Sequence, residues 1–157
     1  MSTDERILLT PQGKEDLVHE LEQLRYAKRP QLLERIQELS SEGDVSDNSE
    51  YEDVKEELVQ LESRIREIEN ILSDAQVVEH EQTPSGAIGF GAIVTLVDAD
   101  GVEETWTIVG PQEANARLGR ISNVSPVGSA LLGKRVGDTI VVSAPGGETR
   151  FTIKEVR

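Results

Sequence analysis

The sequence predicts an α+β protein: an N-terminal antiparallel coiled-coil hairpin followed by a small domain of β-strands and one short helix. Three observations lead there. Apolar residues recur at helical spacing from residue 17 to residue 75, one polar turn interrupts them near the middle, and beyond residue 86 the pattern becomes alternating and β-branched. The 157 residues accommodate one ordinary domain or two small ones, which excludes a large enzyme core.

Thr10 followed by Pro11 is a helix start, a capping hydroxyl before a proline at the first helical position. Leu17, Leu21, Leu24, Leu32, Ile36 and Leu39 then mark one stripe, whose heptad-like spacing slips near Lys28 and resumes, as at a stutter. In the second segment Val54, Leu58, Leu61, Ile65, Ile68, Leu72 and Ala75 step by four and three residues without a miss, which is a coiled-coil seam. Between them lie polar residues 40–49, where Gly43 ends one helix and Ser46 or Asp47 caps the next. Two matched helices on so short a link run antiparallel. Helices of roughly 30 residues make an arm on the order of 45 Å long, with the acidic turn at its far end.

Residues 79–86 have the composition of a linker. Beyond it, segments 92–97 and 105–109 flank Asp98-Ala99-Asp100-Gly101, and segments 139–143 and 149–156 flank Pro145-Gly146-Gly147, two hairpin signals. Ser125-Pro126 opens a short helix that Gly133 closes. The domains expected are therefore a hairpin over 1–78 with its tip near 43–51, a linker over 79–86, and an α+β domain over 87–157. Trp106, Phe90 and Phe151 are candidates for the core of that last domain.

Charge narrows the function classes. The net charge is −14, and it is uneven: residues 1–80 carry 9 Lys/Arg against 21 Asp/Glu, residues 81–157 carry 7 against 9. An acidic first half is repelled by phosphate backbones, so independent DNA or RNA binding is not expected and any nucleic-acid role runs through a protein partner. With no cysteine there is no disulfide framework, thiolate zinc site or cysteine nucleophile. His19 and His80 have no partner at metal-ligand spacing. The apolar runs are too short to cross a bilayer, so no membrane role and a cytoplasmic location are expected.

Gly43-Asp44-Val45-Ser46-Asp47-Asn48-Ser49-Glu50-Tyr51, followed by Lys55-Glu56-Glu57, resembles the tip signature of the bacterial Gre transcript-cleavage factors. Leu9-Thr10-Pro11-Gln12-Gly13 and Lys28-Arg29-Pro30 are similar to that family's first-helix landmarks. Val109-Gly110-Pro111-Gln112-Glu113-Ala114 and the stretch from Ile121-Ser122-Asn123-Val124 to Leu131-Leu132-Gly133-Lys134 are similar to its C-terminal domain. The resemblance covers nearly the whole chain in order. It implies an FKBP-like fold for residues 87–157 and a partner, bacterial RNA polymerase, whose secondary channel the arm enters. It also implies a transcription elongation factor that stimulates polymerase to cleave the 3′ end of backtracked RNA and is not itself an enzyme.

On that resemblance Asp44 and Asp47 are the catalytic carboxylates. Phosphodiester hydrolysis needs an activated water and a cation clamp, and Mg²⁺, shared with polymerase and not held by the free protein, takes oxygen ligands. Asp44 is assigned to a second magnesium and Asp47 to the metal or its attacking water. Read locally, Asp47 instead caps the second helix, with Glu50 closing a capping box, and the two roles are compatible. The family usually has Glu where Asp47 stands and Ala where Ser49 stands, and the shorter carboxylate bears on cleavage efficiency. Asn48, Glu50 and Tyr51 are expected to support the tip or touch polymerase, while Tyr51 is equally readable as a ring packed at the hairpin end. Arg25, Lys28, Arg29 and Arg35 form a basic cluster that by similarity meets the extruded RNA, and that by charge alone pairs with glutamates across the hairpin.

Other functions fit less of the chain. An inhibitory Gre paralogue would block the same channel with an altered tip, at which only the Glu-to-Asp change hints. A peptidyl-prolyl isomerase needs a concave aromatic pocket, and the second half has three aromatic residues. A hairpin chaperone explains the coiled coil but not the polar turn.

Overall fold

The computed structural model describes residues 7–41, 43, 48–80 and 85–157. It is of mixed α+β class, and the chain divides into two compact units: Lys14–Asp74 is one, and the stretches up to Gly13 and from Ala75 onward form the other. The sequence boundary at residue 78 differs from this division by a strand pairing. β1 (Ile7–Leu9) lies parallel to β2 (Ala75–Val77), with Ile7 opposite Ala75 and Leu9 opposite Val77. Leu9 is fully buried, and its carbonyl accepts a hydrogen bond from the Val78 N–H at 2.8 Å.

In the helical unit, the first arm runs as α1 (Pro11–Gln23), a π-helical stretch over Leu24–Lys28, and α2 (Arg29–Ser41). The second arm is one helix, α3 (Ser49–Asp74). The arms are antiparallel, as the pairing of Glu20 with Arg64 near one end and of Arg35 with Glu50 near the other requires. Leu17, Leu21, Leu32 and Leu39 of the first arm and Leu61, Ile65, Ile68 and Ile71 of the second are the buried residues of the seam. The expected stutter near Lys28 is realised as the π turn. A π turn holds more residues than an α turn, the direction in which four inserted seam residues unwind a coiled coil. Pro30 gives the local cause, because it has no N–H to offer the carbonyl of Tyr26 and its ring would press on that carbonyl in a regular helix. At the base, α3 ends at Asp74, Ile71 is buried while Leu72 is half-buried, and Ala75 belongs to β2 rather than to the seam.

The other unit contains a five-stranded sheet in the order β5-β4-β3-β7-β6. β3 (Ile93–Asp98) and β4 (Glu103–Val109) form one expected hairpin, β6 (Thr139–Ala144) and β7 (Gly147–Val156) the other, and β7 closes antiparallel on β3. β5 (Arg120–Ser122) adds parallel to β4 at the edge. The short helix is α4 (Pro126–Leu131), opened by Ser125, whose hydroxyl accepts from the Gly128 N–H at 3.1 Å. Ile88, Ala92, Val94, Leu96, Ile108, Leu131, Ile140 and Ile153 make the core. Trp106 and Phe151 pack against it half-buried, and Phe90 is half-buried. No helix among the described residues is long and apolar enough to cross a membrane.

Candidate functional site

The two candidate carboxylates, Asp44 and Asp47, lie outside the described residues, so the site is built from what flanks them. Gly43 takes φ +120°, a backbone conformation that a residue with a Cβ rarely adopts. On the other side, Asn48 caps α3. Its side-chain oxygen accepts from the N–H groups of Glu50 at 3.0 Å and Tyr51 at 3.2 Å. The sequence reading gave the cap to Ser46 or Asp47. Residues 46–49 are four polar residues in a row, each of a type that caps helices. Asn48 stands in the capping place, and Ser46 and Asp47 lie outside the described residues.

Glu50 sits in the first turn of α3 and binds the Arg35 guanidinium of α2, which also pairs with Glu38 at 3.1 Å. The hydrogen bonds to Glu50 first, then Glu38, hold the Arg35 pKa above its usual value. Tyr51 is half-buried, and the Lys55 ammonium lies 5.1 Å from the centre of its ring, a cation–π contact one helical turn along. Asn48 thus fixes the start of α3 and Glu50 ties it to α2, while the contact of the Tyr51 ring with Lys55 lies within α3.

The structure places each basic candidate opposite a glutamate of α3. Arg25 pairs with Glu69, Lys28 with Glu57 at 3.8 Å, and Arg29 with Glu62 at 3.3 Å. All of these side chains are substantially exposed, so the pairs contribute little and can open to another anion. Among the described residues no group of three or more acidic, histidine or cysteine side chains could hold a metal ion.

One polar residue that sequence reasoning left unremarked stands at the root of the first arm. Glu113 is buried, and its carboxylate accepts from the Thr10 N–H at 2.8 Å and from the Thr10 hydroxyl. Thr10 in turn caps α1, accepting from the Gly13 N–H at 3.0 Å. A Cβ on Gly13 would lie 2.1 Å from the Glu113 carboxyl carbon, so a larger residue there displaces the Glu113 side chain. Both Thr10 and Glu113 lie in quoted family-like stretches, the one available signal. Nothing in sequence connects residues 103 positions apart.

Residues 7–77 match the family described as "Transcription elongation factor, N-terminal", and residues 83–157 match "Transcription elongation factor, GreA/GreB, C-term". The chain belongs to the GreA/GreB family of transcription elongation factors. It is 46% identical over 156 residues to the transcription elongation factor GreA of Chloroflexus aggregans, covering 99% of both chains. Against the GreA of Geobacillus kaustophilus it is 42% identical over 158 residues, the whole of each chain. A solved structure of Gfh1 from Thermus aquaticus is similar at 35% identity over 97% of this chain and 98% of that one, with a TM-score of 0.45. As in the Gre sequence pattern, an N-terminal helical hairpin precedes the sheet domain in this chain.

Proposed function

We propose that this Gre factor inserts its hairpin into the secondary channel of RNA polymerase and stimulates polymerase to cleave the 3′ end of backtracked RNA, without hydrolysing RNA itself. The observation that carries the reading is the match of residues 7–77 and 83–157 to the two domains of the Gre elongation factors. Next to the acidic tip the Asn48 side chain accepts from the Glu50 and Tyr51 N–H groups and fixes the start of α3. Asp44 and Asp47 are oxygen donors of the kind magnesium takes. Magnesium at the polymerase centre supplies the polarised water and the clamp on developing charge. Asp44 and Asp47 contribute negative charge and oxygen ligands, Asn48 and Glu50 hold the end of the arm that presents them, and the arm excludes bulk water. A location in the cytoplasm, with polymerase, follows from this role.

The test is a cleavage assay on stalled, backtracked complexes. Protein and magnesium without polymerase leave RNA intact, and adding polymerase restores cleavage. Asp44→Asn abolishes the stimulated cleavage while binding to polymerase stays near the parent value. Cleavage without polymerase, or full activity of Asp44→Asn, would overturn the reading. A second reading rests on Asp47 in place of the usual Glu: a carboxylate one methylene shorter makes a factor that occupies the channel and slows nucleotide addition. That reading gives inhibited elongation and no released fragment in the same assay.

A further inference from the structure

Glu113 closes the start of α1 from 103 positions away. In a capping box the N-cap side chain accepts from the N–H three positions on, and an acidic side chain at that third position reaches back to the N-cap N–H. Thr10 makes the first of these bonds, accepting from the Gly13 N–H at 3.0 Å. Gly13 has no side chain to make the second. The Glu113 carboxylate makes it instead, accepting from the Thr10 N–H at 2.8 Å and also from the Thr10 hydroxyl. It fills the space that a side chain at position 13 would need, since a Cβ there would lie 2.1 Å from its carboxyl carbon. Glu113 is buried and ends a 3₁₀ turn over Pro111–Glu113. A second close approach joins the same two segments, because a Cβ on Gly110 would lie 2.2 Å from the Leu8 carbonyl oxygen. All of these residues belong to the sheet-bearing unit, whose N-terminal stretch ends at Gly13, inside α1.

We propose that Glu113 is a positioning residue for transcript cleavage: by supplying the capping carboxylate from the connection after β4, it fixes the direction in which α1 leaves the sheet-bearing unit, and so where the far end of the arm arrives. This rests on the proposed function of the arm. A glutamate at position 13 would cap the helix as well, but it would tie the first turn only to itself. An arm on the order of 45 Å long carries its far end about 0.8 Å for each degree of tilt at the root. Catalytic groups displaced by roughly 1 Å lose on the order of a hundredfold in rate. A few degrees of play at the root therefore suffice to undo the chemistry at the other end. The second arm is tied at the same place, because α3 runs directly into β2, β2 pairs with β1, and the Leu9 carbonyl accepts from the Val78 N–H at 2.8 Å. That pairing joins the roots of the two arms to each other, and the Glu113 bonds join the first of them to the connection after β4. Glu113 acts through Thr10 and touches no reacting group.

The test moves the carboxylate from position 113 to position 13. Glu113→Ala, Glu113→Gln and the double variant Gly13→Glu/Glu113→Ala are compared with the parent by thermal melts, by cleavage rate at saturating factor on backtracked polymerase complexes, and by the distance distribution between two spin labels. The chain has no cysteine, so Asp53→Cys in α3 and Glu148→Cys in β7, both exposed, take the labels cleanly. Rates and distances are read well below every thermal midpoint, where a residual loss of stability does not move them. Glu113→Ala is expected to lower the midpoint, broaden the distribution and slow cleavage on the order of a hundredfold. Glu113→Gln stays near the parent in all three, because its amide accepts from the Thr10 N–H and donates to the Thr10 hydroxyl. The double variant regains the midpoint, since the box is closed again, and keeps the broad distribution and the slow cleavage. A double variant that also recovers fast cleavage and a narrow distribution would reduce Glu113 to a helix cap and overturn the proposal. A parent distribution as broad as that of Glu113→Ala would overturn it too. A parent that stimulates no cleavage counts against the proposed function, and the distances then decide the role of Glu113 at the root.

Discussion

Asn48 shows how one side chain separates structure from chemistry at the tip. It holds the first N–H groups of α3, so Asn48→Ala should cost about 1 kcal/mol, the usual loss for a capping residue, and lower the thermal midpoint. Asp47→Ser should leave that midpoint near the parent value, because Asn48 holds the cap. If Asp47 acts on metal or water, the same variant cleaves more slowly and needs more magnesium for half-maximal rate, while Asp47→Glu keeps or raises the rate. Parent-like cleavage by Asp47→Ser at every magnesium concentration would remove Asp47 from the site. At the other end of the arm, Gly13→Ala tests the contact with Glu113. Helix propensity favours alanine by about 1 kcal/mol. The Cβ would nevertheless overlap the Glu113 carboxylate, and overpacking of this kind costs roughly 1–3 kcal/mol. The expected outcome is a net loss of stability, recovered in part when Glu113→Ala is added, as thermal melts of the two single variants and the double variant would read.

At the scale of elements, the seam and the π turn make opposite predictions. Leu61→Asp puts a charge at a buried position of α3 with no partner, which should cost several kcal/mol and lower the far-ultraviolet helical signal. A spectrum identical to the parent's would count against the antiparallel pairing. Pro30→Ala should instead raise helicity and the thermal midpoint, because it restores the N–H and removes the ring that force the wide turn. It should also shift the ring signals of Tyr26, which the π turn carries. The Arg64 pairs fall between these extremes. Hydrogen bonds to Glu20 first, then Glu67, hold the Arg64 pKa above its usual value, against partial desolvation. A raised cation pKa contributes stability that is complete below the unfolded value and is lost only as pH climbs through the raised one. Arg64→Gln should therefore lower stability equally across the neutral range, by no more than about 1 kcal/mol because the pair is well exposed, and less at high salt.

For the whole molecule, the division into two units means that damage to one can be read apart from the other. Trp106 is the single tryptophan and packs against the sheet core, so its fluorescence reports that unit alone. In Leu61→Asp the tryptophan signal should melt as in the parent while helicity falls, and coincident loss of both would join the units into one cooperative block. The sequence by itself determined the hairpin, the seam through Leu61, Ile65 and Ile68, the caps at Thr10 and Ser125 and both β-hairpins. Each is written in residues a few positions apart, as a period, a cap or a turn. Only the tertiary structure decided the rest. Three-residue strands such as β1, β2 and β5 are too short to carry an alternating pattern, and their partners are chosen across the fold. Glu113 reaches Thr10 because the connection after β4 returns to the first turn of α1. Arg29 and Glu62 meet because the second arm runs back along the first. Such contacts join side chains that are remote in sequence, and their energies depend on the folded chain bringing them together.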